Sequence, residues 1–363
     1  MKKFLSIMLL GLLSNAINLH ALPLTEVPYV KKIPIGKTCI IGADIGGTNS
    51  NFGIFDLSTG KLELLLSIHL KSNEITNFTD ALKDVLTYLK NRYAITVKKA
   101  SLACAGAVSK EKTLCKITNS GFLVDANDIV EHTEIEYAYI ANDFEVIGFG
   151  INAIDQNKLI EINKGDKVKT GTKAIFGAGT GLGKCLLLWD KNQKRYFPLA
   201  TEGGHTDFPV QNKTELELVE FIKQTEQIQT NIRWEDILSG IGVSRLYNFF
   251  CWKNNVSPTL ARDKIFSNKD TDKQCLSAYQ LFTQLYGRLT KNVALDSLAR
   301  GGIYIAGGIA AKYPHMFDQE IFMDAFTSHS KHSNLLKSIP VYVITDYNIS
   351  LYGAVELMLL ESV

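Results

Sequence analysis

Apolar and polar positions along the chain sort it into short strands, glycine-bent turns and amphipathic helices. Residues 38–43 form a β-rich apolar run, residues 44–49 bend through two glycines, and residues 50–56 resume by alternating small or polar with apolar side chains. That pattern predicts a strand, a tight turn and a second strand. Residues 62–70 predict a third. Further on, Phe78, Leu82, Val85, Leu86 and Leu89 recur at helical spacing, which predicts one amphipathic helix over 78–93. Residues 100–105 and 137–141 read as buried strands, giving the order β-β-β-α-β-α-β, with antiparallel strands first and crossovers afterwards.

The same device recurs later. A strand from Lys173 runs into Gly177-Ala178-Gly179-Thr180-Gly181-Leu182-Gly183 and continues as an apolar strand over 185–189, which reads as a coarse internal duplication. Helical periodicity dominates 215–298, and a strand over 302–306 ends in Gly307-Gly308. Before all this, Pro23, Pro28 and Pro34 fall in a stretch without periodicity, so residues 22–37 read as a linker. The first 21 residues carry Lys2-Lys3 ahead of a short apolar run, a pattern resembling an export signal. The expected organisation is a small α/β domain over 38–150, to which a C-terminal helix over 346–363 returns, and a larger one over 151–345.

Composition narrows the function. The chain has 363 residues, and 39 Lys and Arg against 37 Asp and Glu leave a net charge of +2, which is no footprint for a nucleic acid. The six cysteines are scattered singly among apolar residues without metal-ligand spacing, as expected of reduced, buried thiols. This favours the cytoplasm, with export or membrane tethering through the first 21 residues as the alternative; no stable membrane partner is expected.

The candidate chemistry lies at the glycine turns. Ala43-Asp44-Ile45-Gly46-Gly47-Thr48-Asn49 joins a carboxylate at a strand end to two glycines and a hydroxyl, so backbone N–H groups can approach phosphate oxygens while Asp44 holds Mg²⁺. Gly179, Thr180 and Gly181 belong to a run with more glycine than a hairpin requires. It lacks the lysine of a P-loop and the spacing of a dinucleotide fingerprint. Gly307 and Gly308 form a third pair, suited to close packing of a nucleoside.

Three such turns, the first with an aspartate, resemble the actin and sugar-kinase superfamily. Together with Asn142-Asp143-Phe144, the segment from Glu202 to Phe208, and Leu238-Ser239-Gly240, they are similar in order and spacing to the bacterial glucokinase family over nearly the whole chain from Thr38. The resemblance implies a two-domain actin-like (ribonuclease H-like) α/β fold with mixed sheets and an interdomain cleft, and ATP-dependent phosphorylation of glucose with Mg²⁺. It implies Asp143 as the catalytic base, Asn119, Asn142, Glu202, His205 and Glu235 as sugar ligands, and a homodimer as the assembly. Read locally, Asn142 or Asp143 also suits a helix cap.

The sequence departs from the family at Asn51, where many relatives carry Arg, at Ala43 in place of a common Gly, and at Ala105-Gly106-Ala107, which lacks a common Pro. These positions bear on nucleotide affinity. A related repressor and kinase family has a cysteine-rich zinc motif after its sugar histidine; no cysteine lies between Cys185 and Cys251, so no structural zinc is expected. The rival readings are a kinase for fructose, mannose or an amino sugar, and a non-catalytic sugar-binding regulator.

Overall fold

The computed structural model describes residues 22–118 and 120–361. The first sheet begins with strands Thr25–Pro28 (β1), Thr38–Ile45 (β2), Asn49–Asp56 (β3) and Glu63–Lys71 (β4), followed by helix Phe78–Tyr93 (α1) and strand Thr96–Cys104 (β5). A small antiparallel sheet of Gly106–Val108 (β6), Leu114–Ile117 (β7) and Leu123–Asp125 (β8) comes next, then helix Ala126–His132 (α2) and strand Tyr137–Asn142 (β9). The order across the main sheet is β1-β4-β3-β2-β5-β9. Its first pairings are antiparallel, whereas β2, β5 and β9 run parallel.

The expected linker is corrected in part, because β1 pairs along β4 from Thr25 with His69 to Pro28 with Leu66. Pro28 is tolerated there because an edge strand leaves its missing N–H without a ladder partner. Leu22, Leu24, Val30 and Ile33 pack against the core of this sheet, and the Tyr93 hydroxyl donates to Glu26 Oε1 at 2.8 Å. Prolines here stiffen an extended segment that belongs to the fold.

Helix Asp143–Gly150 (α3) leads to the second sheet: Leu159–Asn163 (β10), Lys173–Ala178 (β11), Leu182–Asp190 (β12) and Arg195–Thr201 (β13). Helices Lys213–Glu226 (α4), Trp234–Ile237 (α5), Gly240–Lys253 (α6), Arg262–Ile265 (α7) and Lys273–Ser297 (α8) precede strand Gly302–Ala306 (β14). Helices Gly308–Lys312 (α9), Glu320–Thr327 (α10) and Ser333–Ser338 (α11), strand Val341–Ile344 (β15) and helix Ile349–Glu361 (α12) complete the chain. The order β10-β15-β14-β11-β12-β13 repeats the antiparallel meander and two parallel pairings of the first sheet, but its extra antiparallel edge, β10, lies beyond the parallel strands, where β1 lies beyond the meander.

Helices α3 and α12 form the layer between the sheets. Their sequences are apolar on most sides, as expected of helices covered all round. They cross where small residues allow it: a Cβ on Gly353 would come within 1.9 Å of the Val146 carbonyl oxygen. The α12 backbone also lies against β2, where a Cβ on Gly42 would meet the Leu351 carbonyl oxygen at 2.4 Å. On its far side α3 meets the second sheet, with Gly148 against Pro198 and Cys185. All six cysteines are buried.

Candidate active site

Parallel pairing sets the first half of the site. Asp44 is in register with Ala103 on β5, and Ala103 with Ala141 on β9, so the chain leaves β9 through Asn142 into Asp143 at the same sheet end that carries Asp44. Asn142 is the helix cap: its Oδ1 accepts from the N–H groups of Phe144 at 3.0 Å and Glu145 at 3.2 Å. Asp143 is thereby left at the first helical position with its carboxylate available.

Burial pushes the Asp143 carboxyl up to about 7, and the Asp44 charge adds to that. A hydrogen bond from Phe144 N to Asp143 Oδ1 at 2.9 Å works in the opposite direction. The Glu202 charge contributes a further rise, so this residue of the second half acts on Asp143. Burial also holds Asp44 above the usual carboxylate range, against a 2.8 Å hydrogen bond donated by Ser350 Oγ to Asp44 Oδ2.

The second half hangs from β12 and β13. Strand β13 ends at Thr201, Glu202 is exposed, and a single turn over Gly203–His205 bends the chain back. That turn needs its glycine, because a Cβ on Gly204 would lie 1.8 Å from the Leu182 carbonyl oxygen. His205 Nε2 is 3.5 Å from Glu202 Oε2, and its Nδ1 is 3.1 Å from Arg233 Nη1 and 3.8 Å from Glu235 Oε1. Glu235, on α5, accepts from Leu182 N through Oε2 at 2.9 Å. Glu202, His205 and Glu235 are therefore one cluster, and Glu202 couples it to Asp143.

One contact locks the halves together. The Phe144 ring occupies the space over Gly183, where a Cβ would come within 1.9 Å of Phe144 Cδ2. Asp143 thus opens a helix whose second residue is keyed into the strand leading from the glycine turn.

Of the turns, residues 46–49 close by Gly46 N donating to Asn49 O at 3.0 Å, and Gly179 N donates to Gly181 O at 2.8 Å. Gly179 O accepts from Gly240 N at 2.8 Å, which ties the second turn to the start of α6. Gly307 has φ +89° and lies so close to Ala178 that a Cβ would meet the Ala178 carbonyl oxygen at 2.6 Å. The structure therefore brings Gly179, Thr180, Gly181, Gly307 and Gly308 together. Asn51 is turned to His69, whose Nδ1 lies 2.7 Å from Asn51 Oδ1, while Lys71 Nζ reaches Asn49 Oδ1 at 2.9 Å.

Asn119 lies outside the described residues, as does the signal-like segment over 1–21. Ser350 and Arg233 escaped the sequence reading. Ser350 has no local signal, since its role arises only when α12 folds onto β2. Arg233 carries one in hindsight: its i,i+3 spacing to Asp236 beside the candidate ligand Glu235. Among the described residues no group of three or more His, Cys, Asp or Glu is placed to hold a metal, and no helix is long and apolar enough to cross a membrane.

The chain is similar to several known proteins. The family model described as Glucokinase matches residues 41–360. The glucokinase of Nostoc punctiforme is 30% identical over 341 residues, covering 87% of this chain and 98% of that protein. The crystal structure of glucokinase from Balamuthia mandrillaris in complex with glucose superposes with a TM-score of 0.77 at 21% identity, over 87% of this chain and 92% of that one. A glucokinase of the repressor and kinase family from Streptomyces griseus, solved with glucose and AMPPNP, gives a TM-score of 0.62 at 14% identity over 88% and 98%. The fold is that of the actin-like ATPases, with two mixed sheets, and the chain belongs to the glucokinase family.

Proposed function

We propose that the chain transfers the γ-phosphoryl group of ATP to the 6-hydroxyl of glucose, with Asp143 as general base. The observation that carries this reading is the Asp143 carboxyl, raised to about 7 at the sheet end that carries Asp44, where Asn142 takes the helix cap. A base with that affinity accepts a hydroxyl proton near neutral pH as the oxygen attacks, and phosphoryl transfer asks for little else beyond positioning and charge neutralisation.

Glu202, His205 and Glu235 offer acceptors and donors suited to a set of vicinal hydroxyls, and the resemblance adds Asn142 and Asn119 to these sugar ligands. Apart from the Gly46 and Gly179 N–H groups that close them, the turns over 46–49 and 179–181 offer backbone N–H groups to the phosphates, and Gly307-Gly308 lets the nucleoside pack against backbone. Mg²⁺ fits the residues present, since it takes one or two carboxylates along with substrate phosphates, and Asp44 is a buried acid with one hydroxyl donor beside a second acid. When bound there it supplies neutralisation of phosphate charge. The units over 38–150 with 346–363 and over 151–345 then close on the sugar and exclude water.

The test is ADP release across glucose, fructose, mannose and amino sugars, with wild-type protein and Asp143→Ala. Glucose should be preferred, and the variant should still bind glucose but turn over at least about a hundredfold more slowly. Equal turnover by the variant, or glucose binding without any transfer by the wild type, overturns the reading.

A further inference from the structure

His205 and Arg233 meet in a contact that admits only one arrangement of protons. Arg233 Nη1 lies 3.1 Å from His205 Nδ1, and a guanidinium has donors but no acceptor. Nδ1 must then offer its lone pair. Glu235 Oε1, at 3.8 Å from the same nitrogen, is too far to hold a proton there instead. A neutral imidazole with a lone pair on Nδ1 has its N–H on Nε2, the nitrogen facing Glu202.

Arg233 is itself held. Its Nε donates to Asp236 Oδ2 at 2.9 Å and its Nη2 to Asp236 Oδ1 at 3.0 Å, a two-point fork that fixes the guanidinium plane. Its backbone N–H reaches Asp236 Oδ2 at 2.8 Å, and Arg245 Nη1 secures the same carboxylate at 3.1 Å and the Asp236 carbonyl at 2.8 Å. Arg233 also bridges to Asp207, while Trp234 N donates to Thr206 O at 3.0 Å. The histidine turn and the arginine are therefore two sides of one short antiparallel contact.

We propose that Arg233 is a positioning residue for His205: anchored on Asp236, it donates to Nδ1 and leaves the ring's N–H on Nε2, aimed at a sugar hydroxyl. This rests on the assignment of His205 as a sugar ligand. Without Arg233 the ring can rotate or place its proton on Nδ1 toward Glu235, and the donor is lost to the sugar.

The experiment has two readouts on the full chain. Two-bond ¹H–¹⁵N spectra, with the His205 signals assigned by their loss in His205→Asn, should show the Nε2–H tautomer in the wild type and a mixture in Arg233→Ala. In steady-state assays Arg233→Ala should raise KM for glucose about tenfold with kcat changed less than about twofold, and Arg233→Lys should recover part of the loss. Should Arg233→Ala not fold, Asp236→Asn frees the guanidinium and should shift the tautomer in the same direction. An Nδ1–H tautomer in the wild type, unchanged spectra in the variants, or a fall in kcat with KM unmoved overturns the proposal. A wild type that phosphorylates no hexose sinks the kinase reading alone, because the tautomer is read without turnover.

Discussion

Asp44 adds its charge to the burial that raises the Asp143 carboxyl to about 7, although Asp44 lies on β2 and Asp143 opens α3 directly after β9, two strands away across β5. Two acids in one buried corner disfavour full ionisation of both. The arrangement suits a site whose bound partners bring positive charge on one side and a proton to be accepted on the other.

The activity should follow the Asp143 proton. With the free-enzyme carboxyl at about 7, kcat/KM for glucose should rise with pH through that value as the base ionises. A profile flat from pH 5 to 8 would remove Asp143 as the base.

Stability should run the other way. A carboxyl raised above its unfolded value binds more protons folded than unfolded, so its contribution is present below about pH 4 and lost as pH rises through about 7. Asp143→Asn should therefore be more stable than the wild type at pH 8, by on the order of a few kcal/mol, and nearly equal to it at pH 4. Thermal melts of the two proteins at both pH values measure this.

The Phe144 contact predicts a coupled pair. Gly183→Ala should lower stability by about 1–3 kcal/mol through overpacking and, if Asp143 is the base as proposed, cut kcat by roughly tenfold, because the displaced ring follows it in the chain. Adding Phe144→Ala relieves the clash, so the double variant should lose less than the sum of the single ones. Additive losses would show that the ring and the glycine act independently.

Arg288 predicts a structural effect reaching the sugar cluster. Its Nη1 donates to both Glu215 carboxylate oxygens at 2.8 and 2.9 Å, its Nη2 donates to Pro209 O at 2.9 Å, and the guanidinium lies over Phe208 and Trp234, the latter next to Glu235. Arg288→Met strands a buried carboxylate and should cost about 3–5 kcal/mol in urea unfolding. Replacing Glu215 by Leu in the same protein should restore most of it, and no restoration would mean that packing over the rings, not charge, is what Arg288 provides.

Glu235→Ala leaves Leu182 N without its acceptor and loosens the glycine turn at 181 as well as the sugar cluster. KM should rise for glucose and, more weakly, for ATP, the first by roughly tenfold or more. An effect on ATP alone would reassign Glu235 to the nucleotide side.

By itself the sequence determined what local patterning can encode. The hairpin of β2 and β3, the bounds of α1 and the glycine turns were legible because alternation, helical spacing and a demand for backbone without side chains all act over a few residues. The family was legible through a resemblance carried by contiguous motifs, Asn142-Asp143-Phe144 among them. Tertiary structure alone decided whether Asn142 or Asp143 caps α3, that β1 joins an edge instead of trailing as a linker, and that 106–125 fold into a small sheet. It alone brought Ser350 to Asp44 and Arg233 to His205. These depend on which apolar faces and small-residue crossings fit one another across 306 residues for the first pair and 28 for the second, and periodicities that act over a few residues do not reach either partner.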